Sequence, residues 1–177
     1  MLNLLSFAIR RIVSLLYRDI IVNKPIYGLG KKIYYEKAQH LTFLKPGSIK
    51  YEAHIQKKLT KYIQRGNVVF DIGANIGQYS LFFSEKVGEE GQVVAIEPDN
   101  KNFAFLSFNI EINCCSNVTC LHCGIGEVDG ELLYHRDSVT GGRRGSFVRQ
   151  YVGDNYQGNS ITVKLKTDLS QAKDLDF

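Results

Sequence analysis

Two kinds of hydrophobic pattern alternate along the chain from residue 49 onward. Apolar residues at every third or fourth position predict helices, and short, continuously apolar stretches predict strands buried on both faces. In chain order, the predicted elements are a helix over residues 51–65, a strand over 68–70, a helix over 78–87, a strand over 93–96, a helix over 100–113 and a strand over 118–123. With right-handed crossovers, these strands take the order 3-2-1, which is half of a doubly wound α/β sheet.

The pattern changes after Gly126. Residues 132–135 and 146–148 are predicted to be antiparallel strands on either side of a loop over 140–145. Residues 161–166 alternate apolar and polar side chains, as in a half-exposed strand. The sequence therefore predicts a small antiparallel β insertion after the third strand.

The first 22 residues have apolar positions at helical spacing and a narrow polar stripe. Arg10 and Arg11 follow the first apolar residues, whereas a signal peptide carries its positive charge before them, and both arginines would interrupt a membrane span. Two interpretations stay open: a helix packed on the domain or on a second subunit, or a basic amphipathic helix on an anionic membrane surface. We expect a basic helical extension over residues 1–48, a domain over 49–177 and a cytoplasmic location, with peripheral membrane contact through residues 1–22 under the second interpretation.

Composition and charge narrow the class of protein. The 177 residues are 44% hydrophobic and 23% charged, which suits one globular domain. Residues 1–66 carry 13 Lys and Arg against 3 Asp and Glu, whereas residues 67–177 carry 9 against 15. This division disfavours a uniformly basic nucleic-acid binder, so no nucleic-acid partner is expected.

The cysteines suggest no metal site. Cys115, Cys120 and Cys123 have the spacing of part of an iron–sulfur motif, but no fourth cysteine follows them and Cys114 is directly adjacent to Cys115. With no export signal, we expect reduced, buried or spare thiols and no metal.

A glycine-bearing turn at residues 71–77 connects the first strand to the next helix. Gly73 and Gly77 allow the backbone to approach a ligand closely, as in nucleotide-binding turns. The dinucleotide fingerprint would place glycines at positions 73, 75 and 78, but the chain has Asn75 and Gln78 at the last two. A nicotinamide-dependent oxidoreductase is therefore disfavoured.

Two carboxylates at strand ends indicate which nucleotide is bound. Asp71 would repel a pyrophosphate but suits the ammonium and sulfonium groups of S-adenosylmethionine. Glu97 ends the second strand, 20 residues after Gly77, and is placed to accept hydrogen bonds from both ribose hydroxyls. We therefore predict S-adenosylmethionine as the cofactor.

Residues 68–83 (VVFDIGANIGQYSLFF) and 93–110 (VVAIEPDNKNFAFLSFNI) resemble the core of FkbM-type S-adenosylmethionine-dependent methyltransferases. The resemblance extends over about residues 49–170 and implies a Rossmann-like class I methyltransferase sheet. It also implies O-methylation of a hydroxyl on a sugar, glycan or natural product. By the same resemblance, Asp71, Gly73, Asn75 and Gly77 line the methionine end, Glu97 lies at the ribose, and Cys123 and Gly124 lie at the adenine. Ala74 and Pro98 are further expected cofactor-binding residues.

Family members continue after the Thr167-Asp168-Leu169 segment into a strand resembling Lys-Ile-Asp-Val-Glu-Gly, and this chain ends near that point. We therefore expect a C-terminally truncated member with an incomplete sheet, the first strand as a hydrophobic edge, and weak or no S-adenosylmethionine binding. The alternative hypothesis is a non-catalytic module, or an oligomer, whose open sheet edge pairs with another chain. The catalytic residues are not identified: Glu52, His54 and His135 are candidate general bases, each of which also suits a surface or packing position.

Overall fold

The computed structural model describes residues 20–26, 29–37, 48–137, 145–153 and 158–167, with the backbone alone for residues 48–53. The elements are β1 (Ile21–Pro25), β2 (Lys32–Glu36), α1 (Ser48–Leu59), β3 (Val68–Ile72), α2 (Gln78–Val87), β4 (Gln92–Ile96), α3 (Asn100–Ile112), β5 (Val118–Leu121), β6 (Gly124–Ile125), β7 (Gly130–His135), α4 (Arg149–Val152) and β8 (Ser160–Lys166).

A parallel sheet of three strands, in the order β3-β4-β5, carries the nucleotide-binding pattern. Its middle strand, β4, consists of a short apolar run, and residues 93–96 are at most 1% exposed. Leu81 of α2 and Leu106 of α3 are fully buried in the same core as Ala95 of β4. The predicted fold class and the strand order 3-2-1 are confirmed.

The edge strand β3 leaves one apolar face uncovered. Among the described residues only β4 pairs with β3. Val68, Phe70 and Ile72 alternate on one face and are 37%, 42% and 63% exposed. This is the hydrophobic edge that the sequence predicts for the first strand.

Helix α1 is shorter than predicted. It ends at Leu59 rather than at residue 65. The Thr60 hydroxyl donates to the carbonyl of Gln56, and the next two amides, of Lys61 and Tyr62, bond to carbonyls three residues back. The helix therefore tightens and stops here, although the apolar spacing continues to Ile63.

The second sheet differs from the predicted antiparallel insertion. It is a mixed sheet in the order β6-β8-β7, in which β7 pairs antiparallel with β8 and the short β6 pairs parallel with it. The strand predicted over residues 146–148 is wrong: Ser146 forms only an isolated bridge with His135, and α4 begins at Arg149. The partner of β7 is β8, which lies 25 residues further along the chain at their His135–Ser160 pair, so local alternation could not identify it.

The predicted helical extension is corrected in its described part. Residues 21–25 and 32–36 form an antiparallel hairpin, β1-β2, rather than a helix. Pro25 lies in β1, which is an edge strand, where a missing amide hydrogen costs little. The helix expected over the first 22 residues otherwise lies outside the described residues.

Two asparagines, Asn109 of α3 and Asn113 directly after it, hold this hairpin against the domain. The Asn109 side chain accepts from the Tyr34 amide (2.7 Å) and donates to the Tyr34 carbonyl (2.9 Å). Asn113, one turn later, makes the same pair of bonds with Lys32, at 3.0 and 2.7 Å. The four residues from Asn109 to Asn113 rise about 6.0 Å along the helix, and the two residues from Lys32 to Tyr34 rise about 6.6 Å along β2. Because these spacings agree, the two side-chain amides bond to the edge of β2 as the backbone of a neighbouring strand would.

No helix in the described part of the chain is long and apolar enough to cross a membrane.

Candidate functional site

A cavity of about 630 Å³ lies at the carboxyl ends of the parallel strands. This is where open α/β sheets bind ligands. Eight of the nine residues predicted to bind the cofactor line it, namely Asp71, Gly73, Ala74, Asn75, Glu97, Pro98, Cys123 and Gly124.

The turn between β3 and α2 is held by backbone hydrogen bonds. The amides of Gly73 and Ala74 both donate to the carbonyl of Ile96, each at 2.9 Å, which ties the turn to β4. Gly73 has a φ of +78°, and a Cβ there would have no protein atom within 4 Å. The turn therefore leaves open space beside the cavity at a position that favours glycine.

Gly77, the ninth predicted residue, is not among the residues that line the cavity. It precedes α2 with a φ of +90°, and a Cβ there would lie 2.8 Å from Leu106 Cδ1. Glycine is thus required at this position because α2 approaches α3 closely.

Asp71 stands near the end of β3 and is hydrogen-bonded within the domain. Its Oδ2 accepts from the Ser80 hydroxyl at 2.6 Å, and Ser80 itself is fully buried on α2. Burial raises the pKa of the Asp71 carboxyl, and the hydrogen bonds from Ser80 partly oppose this shift. A cation in the cavity would favour the ionised form.

Glu97 is 3% exposed, and both of its carboxylate oxygens accept backbone hydrogen bonds. Oε2 accepts from the Asn75 amide at 2.8 Å, and Oε1 accepts from the Asp99 amide at 2.9 Å. The Asn102 side chain also interacts with this carboxylate. A carboxylate has about four lone-pair positions, so at least one stays available for a ligand. Burial raises the pKa of Glu97 to about 7, against the lowering effect of the two amides and of Asn102.

Asp99 supports this arrangement from the start of α3. Its Oδ1 accepts from the amides of Lys101 and Asn102, at 2.9 and 3.1 Å, and caps the helix. Arg136, at the end of β7, forms a two-bond ion pair with the same carboxylate, which is 3% exposed. The pair joins the second sheet to the loop that carries Glu97.

The second sheet and the segment between β7 and β8 complete the cavity. Tyr134 of β7 and residues 145–148 line it together with the turn. The rings of Tyr134 and Phe147 meet edge to face, with centroids 5.1 Å apart. No local pattern in the sequence indicates this wall, because it depends on the pairing of Ser146 with His135 and on packing between distant segments.

None of the candidate bases is shown to reach the cavity. His54 is exposed on α1, and the His135 Nδ1 lies 2.9 Å from the Ser160 hydroxyl; neither residue lines the cavity. The side chain of Glu52 lies outside the described residues. No general base is assigned.

The cysteines lie in different parts of the structure. Cys123 lines the cavity, whereas Cys115 packs in the main core, where its Sγ lies 3.1 Å from Lys31 Nζ. Burial raises the pKa of Cys120 to about 11, so this thiol is protonated at neutral pH. In the described part of the chain, no group of three or more His, Cys, Asp and Glu side chains could hold a metal ion.

Among protein families, the methyltransferase FkbM domain matches residues 71–171, which is more than half of the chain. The match begins at Asp71, within β3, and extends past the end of β8. The chain has no match among curated proteins.

Several solved structures are similar to parts of the chain. An S-adenosylmethionine-dependent methyltransferase from Aquifex aeolicus is 26% identical over 48% of this chain and 44% of that one, with a TM-score of 0.38. TYW2 of M. jannaschii, solved in complex with AdoMet, is 24% identical over 67% of this chain and 48% of that one, with a TM-score of 0.47. A precorrin-6y C5,15-methyltransferase from Geobacter metallireducens is 22% identical over 40% of this chain and 38% of that one, with a TM-score of 0.37. The chain spans less than half the length of each of these proteins.

Proposed function

Because the chain belongs to the FkbM methyltransferase family, we propose that its cavity binds S-adenosylmethionine for the transfer of a methyl group to a hydroxyl of a sugar, glycan or natural product. The single observation that carries this proposal is that Asp71 and Glu97 both line one cavity at the carboxyl edge of the parallel sheet. The hydroxyl acceptor rests on the resemblance to the family.

The side chains at the cavity suit this cofactor better than a dinucleotide. The carboxylate of Asp71 would attract the ammonium and sulfonium groups, and it would repel a pyrophosphate on the same turn. Glu97 keeps acceptor capacity for a ribose hydroxyl, which donates in the sense that a carboxylate requires. When bound, S-adenosylmethionine would supply a methyl group on a positively charged sulfur, and this sulfur is a good leaving group when an acceptor oxygen attacks the methyl carbon.

The contribution of the chain is orientation. Rate depends on holding the acceptor oxygen in line with the methyl–sulfur bond. The turn at residues 73–77 is fixed to β4 through Ile96 and to Glu97 through the Asn75 amide, so it is shaped before any ligand enters. A preformed turn avoids the cost of ordering a loop during binding.

Titration calorimetry tests the cofactor. We expect heat of binding with S-adenosylmethionine and with S-adenosylhomocysteine but none with NAD⁺. Asp71→Asn and Glu97→Gln should each weaken binding by about tenfold or more, since hydrogen bonds to charged groups contribute about 1.5–3 kcal/mol. Glu111→Gln, at an exposed position of α3, is the matched control and should bind as wild type does. Preference for NAD⁺, or equal binding by all three variants, would contradict the proposal. The wild-type dissociation constant also tests the expectation of weak binding.

Transfer of tritium from methyl-labelled S-adenosylmethionine to a panel of sugars, glycans and hydroxylated natural products tests the reaction. Label in a methyl ether is the expected result. Label on nitrogen or carbon instead would refute the acceptor class while leaving the cofactor in place.

A further inference from the structure

We propose that Phe147 stacks on the base of the nucleoside bound in the cavity, and this inference rests on the proposed function. Phe147 lines the cavity, and the family resemblance gives it no role.

The order of the strands sets the direction of the ligand. Asp71 is at the end of β3, Glu97 follows β4, and Gly124 follows β5, with β4 in the middle of the sheet. Neighbouring strands are about 4.8 Å apart, so these residues mark successive positions along the carboxyl edge. With the cationic end at Asp71 and the ribose at Glu97, the base reaches the Gly124 end.

Phe147 lies at that same end. A Cβ on Gly124 would lie 2.5 Å from Cζ of Phe147 and 2.9 Å from Cδ2 of Leu165. The tip of the ring therefore lies against Gly124, and only glycine leaves it room. Phe147 is only partly buried although it is a large apolar side chain, so its ring still has surface that a ligand could cover.

Contacts on several sides hold the ring in place before any ligand binds. Just before it, the amide and the carbonyl of Ser146 pair with His135 at 3.0 and 2.8 Å. Just after it, the amide of Val148 donates to the Ser146 hydroxyl at 3.0 Å. Tyr134 meets the ring edge to face and is itself packed against Gly145, where any Cβ would overlap the tyrosine hydroxyl.

A fixed aromatic ring beside a base contributes affinity through stacking. Base–aromatic stacking strengthens binding by roughly fivefold to hundredfold per base, and it tolerates different bases because every base has a π-face. Phe147 should therefore determine how tightly the nucleoside binds, with little effect on which base is preferred.

The absence of tryptophan from the 177 residues gives a direct test. Phe147→Trp places the only tryptophan at the proposed stacking position, and adenine stacked on indole quenches its fluorescence. We expect S-adenosylhomocysteine to quench the tryptophan emission of Phe147→Trp. Tyr151→Trp, at a position that is 69% exposed and does not line the cavity, is the control and should be unchanged.

Affinity is measured in parallel by calorimetry with the same ligand. Phe147→Ala should bind about tenfold more weakly than wild type, and Phe147→Leu, which keeps apolar volume and guards against misfolding, should lie between the two. This inference alone would be overturned if wild type binds the ligand, the tryptophan emission of Phe147→Trp is not quenched, and Phe147→Ala loses less than twofold in affinity. No binding by wild type would overturn the proposed function, and this inference with it.

Discussion

Replacing Asn109 with alanine removes the side chain that joins the N-terminal hairpin to α3 and to the glycine turn. Asn109 is 0% exposed and makes three hydrogen bonds, with the Tyr34 amide (2.7 Å), the Tyr34 carbonyl (2.9 Å) and the Ile76 carbonyl (2.8 Å). Each bond contributes about 1 kcal/mol net. We therefore expect Asn109→Ala to lower the free energy of unfolding by about 3 kcal/mol, or the melting temperature by about 6–12 °C for a chain of this size.

The assay is urea unfolding followed by circular dichroism, with thermal melting as a second measure. Asn113→Ala is the matched control, because the bonds of Asn113 to Lys32 are exposed and water can replace them; the loss should stay below about 1 kcal/mol. Asn109→Asp keeps the size of the side chain but turns a carboxylate oxygen toward two carbonyls, so it should lose at least as much as alanine. Equal losses at positions 109 and 113, or less than about 1 kcal/mol at 109, would refute the role given to Asn109.

Three further variants test the cavity and its supports. The pKa of Glu97 is raised to about 7, so the folded state holds this proton more tightly than the unfolded state does. As pH rises from about 4.5 to 7, the free energy of unfolding should therefore fall by about 3 kcal/mol because of this residue. Urea unfolding at several pH values should show that Glu97→Gln removes this pH dependence. Gly77→Ala should cost about 1–3 kcal/mol by thermal melting, from its positive φ and the contact with Leu106, whereas Gly130→Ala, with free space around it, should change little. Arg136→Met leaves the buried carboxylate that caps α3 without its cation and should cost about 3 kcal/mol in the same melts.

The parallel sheet could be predicted because its information is local. Each of its strands is a short apolar run, each helix has its own spacing, and Gly73 and Glu97 follow directly from strands. The hairpin β1-β2 was not predicted, because backbone groups of β2 bond to the side chains of Asn109 and Asn113, which lie about 75–80 residues away in the sequence. An asparagine on a helix gives no local indication that it substitutes for a strand.

The same distinction explains why the predicted cavity residues were easier to find than their supports. Residues such as Asp71 are recognisable because the turn carries them at fixed spacing from a strand. What holds the turn comes from elsewhere: its amides bond to Ile96 and Glu97, and its Ile76 carbonyl accepts from Asn109 at the opposite side. Asn109 bonds to the hairpin and to the turn with one side-chain amide, so it links the two through a contact outside the parallel sheet. The N-terminal hairpin is thus part of the structure that shapes the proposed cofactor site, although it lies outside the residues that match the methyltransferase family.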